Sequence, residues 1–256
     1  MLKTDLNGRV AVIAGSGGKL DLALIQAFAD NGAKVALCVK PEDRPDAAAL
    51  ANYSDRAAIF DLDLNHLDAV SETVQNVLAQ YGHIDILINN PMGAFANQAR
   101  VPLHEMDLDA FTRETDAWLK GIMRFSKYCA KDMAERPENS GVILNIFSVR
   151  GMTAVANESI AVAVSAGLHG LSKMWGVEMR DYHIRANGIA VGVLEDEPAL
   201  PCGDAVRFSH GNIKRPCKAE EAANTTVFLA SDAASYITGT VVTVDGGISA
   251  GYARSF

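Results

Sequence analysis

Ser148 is a residue whose type and position could support chemistry. It follows an apolar stretch at residues 142–147 that is typical of a buried strand, so its hydroxyl is expected at the end of that strand. A serine without a neighbouring base is a weak nucleophile and a weak acid. Arg150, Glu158 and His169 follow along the chain, and they are the other groups in this region that could bind a substrate or move a proton.

A second chemical feature lies near the start of the chain. Residues 10–21 read VAVIAGSGGKLD, which predicts an apolar strand, a glycine-rich turn and the start of a helix. This is the context in which a backbone turn can approach the phosphates of a dinucleotide and the helix N-terminus can accept their charge. Lys19 and Asp21 stand at the helix start, where a lysine could attract a phosphate and a carboxylate would repel it.

Alternating strands and helices must position these groups. Apolar runs and helical periodicity predict a single Rossmann-type domain over residues 1–256, with a parallel sheet of about seven strands and helices on both faces. The predicted strands lie near 10–14, 34–39, 56–60, 84–89, 142–147, 184–191 and 240–244. The predicted helices lie near 20–31, 65–81, 108–135, 159–180 and 218–231. Because the helix at 159–180 is apolar on almost every side, it is expected to be buried on all sides.

Three stretches resemble the short-chain dehydrogenase/reductase family. They are GVILNIFSVRG at 141–151, SAGLHGLSK at 165–173 and IRANGI at 184–189, and the likeness extends over nearly the whole chain. The resemblance implies a catalytic Ser, Tyr, Lys and Asn. This sequence keeps Ser148 but has Trp118, Ala161 and Ser165 at the places of the Asn, Tyr and Lys. Ala161 and Ser165 share one helix face, and neither carries the ionisable proton that the family uses.

The same resemblance indicates altered cofactor contacts. Of the family's three loop glycines only Gly15 is kept, because Lys19 and Asp21 replace the others, and Asp196 replaces a Thr that contacts the nicotinamide. The family implies that the remaining cofactor contacts, which are vestigial here, lie at Gly15, Lys19, Asp21, Lys40, Asp63 and Asn89. These changes predict that no cofactor binds. If one does, Lys40 at the end of the second strand favours NADP over NAD, because a basic residue there can meet a 2′-phosphate.

Composition narrows the remaining function classes. Twenty-three Lys and Arg against thirty-one Asp and Glu give a net charge of -8, so nucleic acid and anionic membranes are poor partner candidates. The four cysteines lack the spacing of a metal site, which suggests reduced thiols in a cytoplasmic protein. They are Cys38, Cys129, Cys202 and Cys217. No signal peptide or membrane-length apolar run is evident, and no metal site is expected.

Together these features predict a catalytically silent subunit. It would assemble with an intact short-chain dehydrogenase/reductase paralogue in a hetero-oligomeric oxidoreductase, or associate with itself. The logic of motif loss is similar to that of the inactive subunit of hydroxybenzylsuccinyl-CoA dehydrogenase. Two alternatives remain open at the level of sequence. One is a lyase, isomerase or cyclase that uses the cleft without hydride transfer, and the other is an NADP-dependent reductase with relocated catalytic residues.

Overall fold

The computed structural model describes residues 4–251 except 97, 99, 138–139, 154 and 198–211. Seven parallel strands form one sheet in the order β3-β2-β1-β4-β5-β6-β7. The strands are β1 Val10–Ala14, β2 Lys34–Val39, β3 Ala57–Asp61, β4 Ile86–Asn89, β5 Gly141–Ser148, β6 Ile184–Val191 and β7 Val241–Val244. The predicted Rossmann-type fold with a seven-stranded sheet is therefore confirmed.

Helices cover the sheet. They are α1 Lys19–Asp30, α2 Leu67–Tyr81, α3 Met92–Ala96, α4 Leu108–Thr115, α5 Ile122–Glu135, α6 Ser159–Glu178 and α7 Ala219–Ala230. The central strands are buried along their whole length, which explains why they read as continuous apolar runs instead of alternating ones. None of the helices in the described part of the chain combines the length and apolar character that a membrane span requires.

The helix predicted over 108–135 is interrupted. A π-helical turn at Asp116–Gly121 separates α4 from α5, and Trp118 lies in this turn. Gly121 approaches Leu64 so closely that a Cβ built on it would lie 2.6 Å from the Leu64 Cβ. A single extra residue in such a turn changes the direction of the following side chains, and turns of this kind are frequent at functional sites.

Helix α6 is more deeply buried in its own chain than its sequence suggested. Val164 and Leu168 have no exposed surface, because α6 packs on β5 and β6. The large apolar side chains that α6 exposes are Met174 and Val177 near its end, and Ala166 and Gly170 are exposed in its middle. Val164 and Leu168 therefore belong to the core of the chain itself, and the association with a partner subunit stays a prediction.

The sheet order reverses between β1 and β4. The chain runs outward from β1 to β3 on one side and from β4 to β7 on the other, so the loops after β1 and β4 diverge and leave a crevice at the carboxyl ends of the strands. Ligands bind at this place in open α/β sheets. The glycine-rich turn, the end of β2 and Ser148 all lie at this edge.

Candidate functional site

The Asp21 side chain accepts hydrogen bonds from the glycine-rich turn and so fixes its conformation. The backbone amides of Ser16 and Gly17 donate to its Oδ2 over 3.0 and 2.8 Å, and the Asn90 side-chain amide donates to its Oδ1 over 2.7 Å. Gly17 and Gly18 have φ values of +77° and +100°, which only glycine adopts without cost. Asp21 thus organises the turn by accepting the amides that point inward.

Burial changes the charge of Asp21. Its side chain is almost inaccessible to solvent, and this desolvation raises its pKa from 3.8 to about 7, although the hydrogen bonds from Asn90, Ser16 and Gly17 act in the opposite direction. Burial therefore favours the protonated form of this carboxyl more than an exposed position would. Sequence reasoning treated it as a permanent anion facing the phosphate, whereas the structure places it beneath the turn with a raised pKa.

The N-terminus of α1 receives a second carboxyl group from the opposite side of the sheet. The Lys19 amide donates to Asp196 Oδ2 over 2.9 Å, and the Lys19 ammonium lies 3.7 Å from Glu195 Oε1. Asp196 belongs to the segment after β6, so this contact spans the crevice. A helix N-terminus attracts anions of any origin, and a dinucleotide phosphate would have to take the place of Asp196 at the Lys19 amide.

An open cavity of about 320 Å³ lies beside the turn. Its walls come from the turn itself, the ends of β2 and β3, the segment after β4 and the π-helical turn. The residues lining it are Gly15, Ser16, Lys40, Asp43, Leu62, Leu64, Asn65, Gly93, Ala94, Arg113, Glu114, Ala117 and Trp118. Six of the thirteen lining residues are polar or charged, beside two leucines and the Trp118 ring, so the cavity can accept a ligand that has both polar and apolar parts.

Lys40 brings positive charge to this cavity. It directly follows β2, and it takes part in none of the side-chain ion pairs found among the described residues. Arg44, four residues later, is already paired with Asp61 through its Nε over 3.1 Å. Lys40 is therefore the cation at the end of β2 that can meet an added phosphate.

The other predicted cofactor contacts occupy different surroundings. Asn89 is fully buried, and its side-chain amide donates to Ser126 Oγ and Asn145 Oδ1, so it links β4 to its neighbours instead of facing the crevice. Asp63 accepts from the backbone and side-chain amides of Asn65 in a local turn. Both residues remain predictions as ligand contacts.

We call the end of the crevice near Ser148 and Arg150 the reacting end. Its polar groups are two serine hydroxyls and the Arg150 guanidinium. The Ser148 backbone amide donates to Ser165 Oγ over 3.3 Å, and Ser148 Oγ in turn accepts from the Arg150 amide over 3.3 Å. Ala161 and Ser165 are buried. Gly151 packs against Ser165, with an imagined Cβ only 2.6 Å from the Ser165 Cβ. A side chain larger than serine at position 165 would have to displace the segment at 149–151 or point away from it.

Ion pairs cover this end. Arg150 lies between Glu158, whose Oε2 is 3.0 Å from its Nε, and Glu197, whose Oε2 is 2.5 Å from its Nη2. Arg100 adds a second cation at Glu158 Oε1, over 2.6 Å. Sequence reasoning named Arg150 and Glu158 as candidates, but it missed Arg100 and Glu197, because these come from distant segments that only the fold brings together.

The remaining sequence candidates have structural surroundings. His169 stacks on Phe147 with ring centroids 6.0 Å apart. Cys38, Cys129 and Cys217 are free thiols, whereas Cys202 lies outside the described residues. Within the described ranges, no group of three or more His, Cys, Asp or Glu side chains is arranged to hold a metal ion.

Comparison with known proteins gives matches over nearly the whole chain. A family model described as enoyl-(acyl carrier protein) reductase, of the short-chain alcohol dehydrogenase type, matches residues 22–249. The chain is 33% identical to a cis-4-hydroxycyclohexanecarboxylate dehydrogenase of Sinomonas cyclohexanicum, over 94% of this chain and 97% of the relative. It is 29% identical to a 3-oxoacyl-acyl-carrier-protein reductase of Thermotoga maritima, over 95% of this chain and 98% of the relative.

One similar protein of known structure contains a bound cofactor. A gluconate 5-dehydrogenase of Burkholderia cenocepacia, determined in complex with NADP and tartrate, superposes with a TM-score of 0.86. It is 26% identical to this chain, and the match covers 97% of this chain and 98% of the other.

These matches overturn two expectations from the sequence. The expectation of a catalytically silent subunit is wrong, because the relatives are named as active dehydrogenases and reductases. The expectation that no cofactor binds is also wrong, since it conflicts with those relatives and with the NADP complex of a structural neighbour. The prediction had placed the Asp21 carboxylate against the phosphate, whereas the structure buries it beneath the turn, where it accepts from the Ser16 and Gly17 amides.

Proposed function

Because the chain belongs to the short-chain dehydrogenase/reductase family, we propose that it is an NADP-dependent oxidoreductase whose proton-transfer groups are relocated from the usual positions. Its reaction would interconvert a hydroxyl and a carbonyl group on a small organic molecule. The observation that carries the proposal is the open cavity at the reversal of the sheet, with Lys40 on its wall.

The residues at this cavity are compatible with the adenosine half of NADP. Leu62, Leu64 and Trp118 offer apolar surface to a base, and Lys40 offers an ammonium to a 2′-phosphate. No acidic residue ends β2, where a carboxylate would favour the free ribose hydroxyls of NAD, since Val39 is its last residue. The fit at the N-terminus of α1 requires Asp196 to give up the Lys19 amide.

The bound nicotinamide would supply or accept the hydride. The chain's own groups at the reacting end would orient the substrate and exclude water. Ser148 and Ser165 are buried, with Ser165 Oγ accepting from the Ser148 amide, and the Arg150 guanidinium is almost completely buried as well. Ala161 has no ionisable proton, so the oxygen that gains or loses a proton must be served by another group. Placed proton donors are worth about 10²–10⁴ in rate, and a slow turnover is therefore expected if solvent serves instead.

Two of the similar proteins suggest the first substrates to try. One is named for a hydroxycyclohexanecarboxylate and another was crystallised with tartrate, so both involve hydroxy acids. We therefore take hydroxy- and oxo-carboxylic acids of small size as the first candidate substrates of this chain, with neutral cyclic ketones as the comparison class.

The test is transfer of a labelled hydride. Purified chain is incubated with NADPH deuterated at the nicotinamide C4 and a panel of cyclic and linear oxo acids and ketones, and the products are analysed by mass spectrometry. Enzyme-dependent deuterium at the carbinol carbon of any product is expected. Failure across the whole panel, with NADPH bound, would contradict the proposed chemistry while leaving the cofactor site intact.

The proposal includes self-association. Four apolar side chains on α5 and α6 remain exposed, namely Met123, Tyr128, Met174 and Val177. Exposed apolar side chains that come together in a patch mark contact surfaces, and we propose that those of α5 and α6 contribute to one. Sedimentation velocity on the purified chain is expected to give a dimer or larger assembly, and Val177→Asp should shift it toward the monomer. Native mass spectrometry after co-expression with an intact paralogue would reveal a mixed complex if one forms.

A further inference from the structure

Two neighbouring carboxylates of the segment after β6 contact the first residue of α1. Asp196 Oδ2 accepts from the Lys19 amide over 2.9 Å, and Glu195 Oε1 lies 3.7 Å from the Lys19 ammonium. Gly18 precedes this amide, and a Cβ built on it would lie 3.3 Å from Asp196 Oδ2. The Asp196 carboxylate therefore lies directly against the glycine-rich turn, although 177 residues separate it from Lys19 in sequence.

This contact uses a backbone donor that the helix itself leaves unpaired. The first amides of an α-helix have no partner within the helix, and the aligned peptide dipoles favour a negative charge beside them. Helix α1 has twelve residues, and Gly18, which precedes it, has no side chain that could accept from these amides. Asp196 therefore supplies from another segment the acceptor that a residue at the helix start usually supplies.

The Asp196 side chain is attached through this one contact. Among the residues that the structure describes, its only hydrogen bond or ion pair is the one to the Lys19 amide. The side chain is partly exposed, and it borders an open cavity of about 280 Å³. The adjoining backbone is held separately by hydrogen bonds from the Glu195 and Glu197 amides. A change of side-chain rotamer can therefore release the Lys19 amide without breaking another contact of Asp196.

The cavity beside Asp196 adjoins the candidate cofactor cavity. Its walls include the glycine-rich turn, Asp43 and Asp196. Asp43 also lines the cavity of about 320 Å³ that contains Lys40 and Trp118. In folds of this type the pyrophosphate of a dinucleotide lies at the N-terminus of the helix after the turn. A dinucleotide whose adenosine half fills the second cavity would therefore bring its phosphates to the place that the Asp196 carboxylate occupies.

We propose that Asp196 is an affinity-determining residue, which occupies the position of the cofactor phosphates in the free protein and must leave the Lys19 amide before a dinucleotide binds. The inference rests on the proposed oxidoreductase function, because it assigns an internal competitor to the cofactor of that function. When only a fraction of the molecules has the binding position free, the apparent affinity is reduced by that fraction. Removal of the carboxylate should therefore tighten cofactor binding, although it also removes a hydrogen bond of the folded chain.

The experiment measures calorimetrically the binding of NADPH and of adenosine 2′-monophosphate to the full-length chain. Asp196→Asn removes the charge, and Asp196→Ala removes the acceptor as well. Each variant is expected to bind NADPH at least about fivefold more tightly than wild type, because the charge-assisted hydrogen bond that competes with the phosphates is lost. Adenosine 2′-monophosphate lacks the pyrophosphate, so its affinity is expected to stay unchanged.

Glu195→Gln is the matched control. It removes the same charge from the neighbouring residue but leaves the Lys19 amide occupied, and its pair with the ammonium is exposed to solvent. The NADPH affinity of this variant is expected to change less than about twofold. Urea denaturation checks that each variant is folded, and Asp196→Asn decides the test if Asp196→Ala is not.

Three results would overturn the inference. The first is equal tightening of NADPH binding by Glu195→Gln, which would show a general effect of charge. The second is equal tightening of adenosine 2′-monophosphate binding by the Asp196 variants, which would show that the pyrophosphate is not involved. The third is an NADPH affinity of the Asp196 variants no higher than that of wild type, as a purely structural contact predicts.

The structure of the chain with NADPH separates this inference from the function on which it rests. If NADPH binds while Asp196 still accepts from the Lys19 amide, the inference fails and the oxidoreductase proposal stands. If NADPH binds to the Asp196 variants but not to wild type, the inference stands and the NADP-dependent function of the native chain fails. If NADPH binds to none of these proteins, both fail.

Discussion

The two ends of the crevice differ in how they are filled. At the adenosine end a cavity of about 320 Å³ remains open between the glycine-rich turn and Trp118, and Lys40 lies on its wall. At the reacting end the space around Ser148 is occupied by ion pairs of Arg150 with Glu158 and Glu197. The first end has open space for a ligand, whereas charged side chains that pair with one another fill the second.

Because of this difference, the residues that would bind the cofactor are separate from those that would take part in the reaction. The sheet and the turn after β1 position the adenosine end, and their residues depart from the family mainly by substitutions that the fold absorbs, as Asp21 does beneath the turn. The reacting end has Ala161 and Ser165, whose side chains carry no ionisable group, and it holds buried charges from separate segments. Cofactor affinity and turnover should therefore respond to different substitutions.

The largest loss of folding stability is expected for Arg150→Met. This change removes the Arg150 guanidinium from the buried carboxylates of Glu158 and Glu197, and breaking a buried ion pair in this way costs about 3–5 kcal/mol. Urea denaturation at neutral pH measures it. Arg113→Met is the control at the adenosine end, where an exposed pair with Glu114 should contribute less than about 1 kcal/mol. Equal losses for the two variants would remove the proposed contrast between the ends.

Asp21 should make stability depend on pH. Because its pKa is raised from 3.8 to about 7, the folded chain binds a proton that the unfolded chain releases, and stability falls as pH rises through this interval. The loss from this group is at most about 4 kcal/mol. Denaturation of wild type and Asp21→Asn at about pH 5 and about pH 8 should show a smaller decrease in the variant. Parallel curves would mean that Asp21 stays ionised throughout.

The same carboxyl group should affect cofactor affinity in the same direction. A neutral Asp21 beneath the turn repels a phosphate less than an ionised one, so NADPH should bind more weakly at about pH 8 than at about pH 6. Calorimetry on wild type and Asp21→Asn measures this, and the variant should show the flatter profile. A steeper profile in the variant would contradict the assignment.

A smaller effect is expected at Lys40. If its ammonium meets the 2′-phosphate, Lys40→Ala should weaken NADPH binding about tenfold and leave NADH binding unchanged. Lys34→Ala is the matched control, because Lys34 begins the same strand at its opposite end and lies over the Tyr81 ring. Equal weakening of NADH would show that Lys40 acts through the fold and does not recognise the added phosphate.

The smallest expected effect is that of Ser165→Ala. The Ser165 hydroxyl accepts from the Ser148 amide, and removal of a buried acceptor of this kind costs about 1 kcal/mol. Urea denaturation measures the loss, and Ser54→Ala, where an exposed hydroxyl donates to Ala51, serves as the control. Equal free energies of unfolding for wild type and Ser165→Ala would mean that the stability gained from alanine in α6 offsets the lost hydrogen bond to the Ser148 amide.

Sequence patterns predicted the fold closely because apolar periodicity reports burial directly. The predicted strands at 10–14, 34–39 and 184–191 agree with the observed bounds to the residue. The π-helical turn at Asp116–Gly121 was not predicted, and within it Gly121 lies close to Leu64, which is distant in sequence. Local sequence pattern carries no information about such a contact.

The site was predictable only in part for the same reason. Ser148, Arg150 and Glu158 stand near one another in sequence and could be named as candidates, but Glu197 reaches Arg150 from beyond β6. The contact of Asp196 with the Lys19 amide likewise joins two distant segments. The charge state of Asp21 was misjudged because sequence gives the residue type and the fold determines its solvation.

The most direct test of the proposed function is a calorimetric titration of the purified full-length chain with NADPH and, separately, with NADH. The open cavity and Lys40 predict saturable NADPH binding with a dissociation constant below about 1 mM, and weaker binding of NADH. Absence of binding for both nucleotides across this range would contradict the proposal that the chain is an NADP-dependent oxidoreductase.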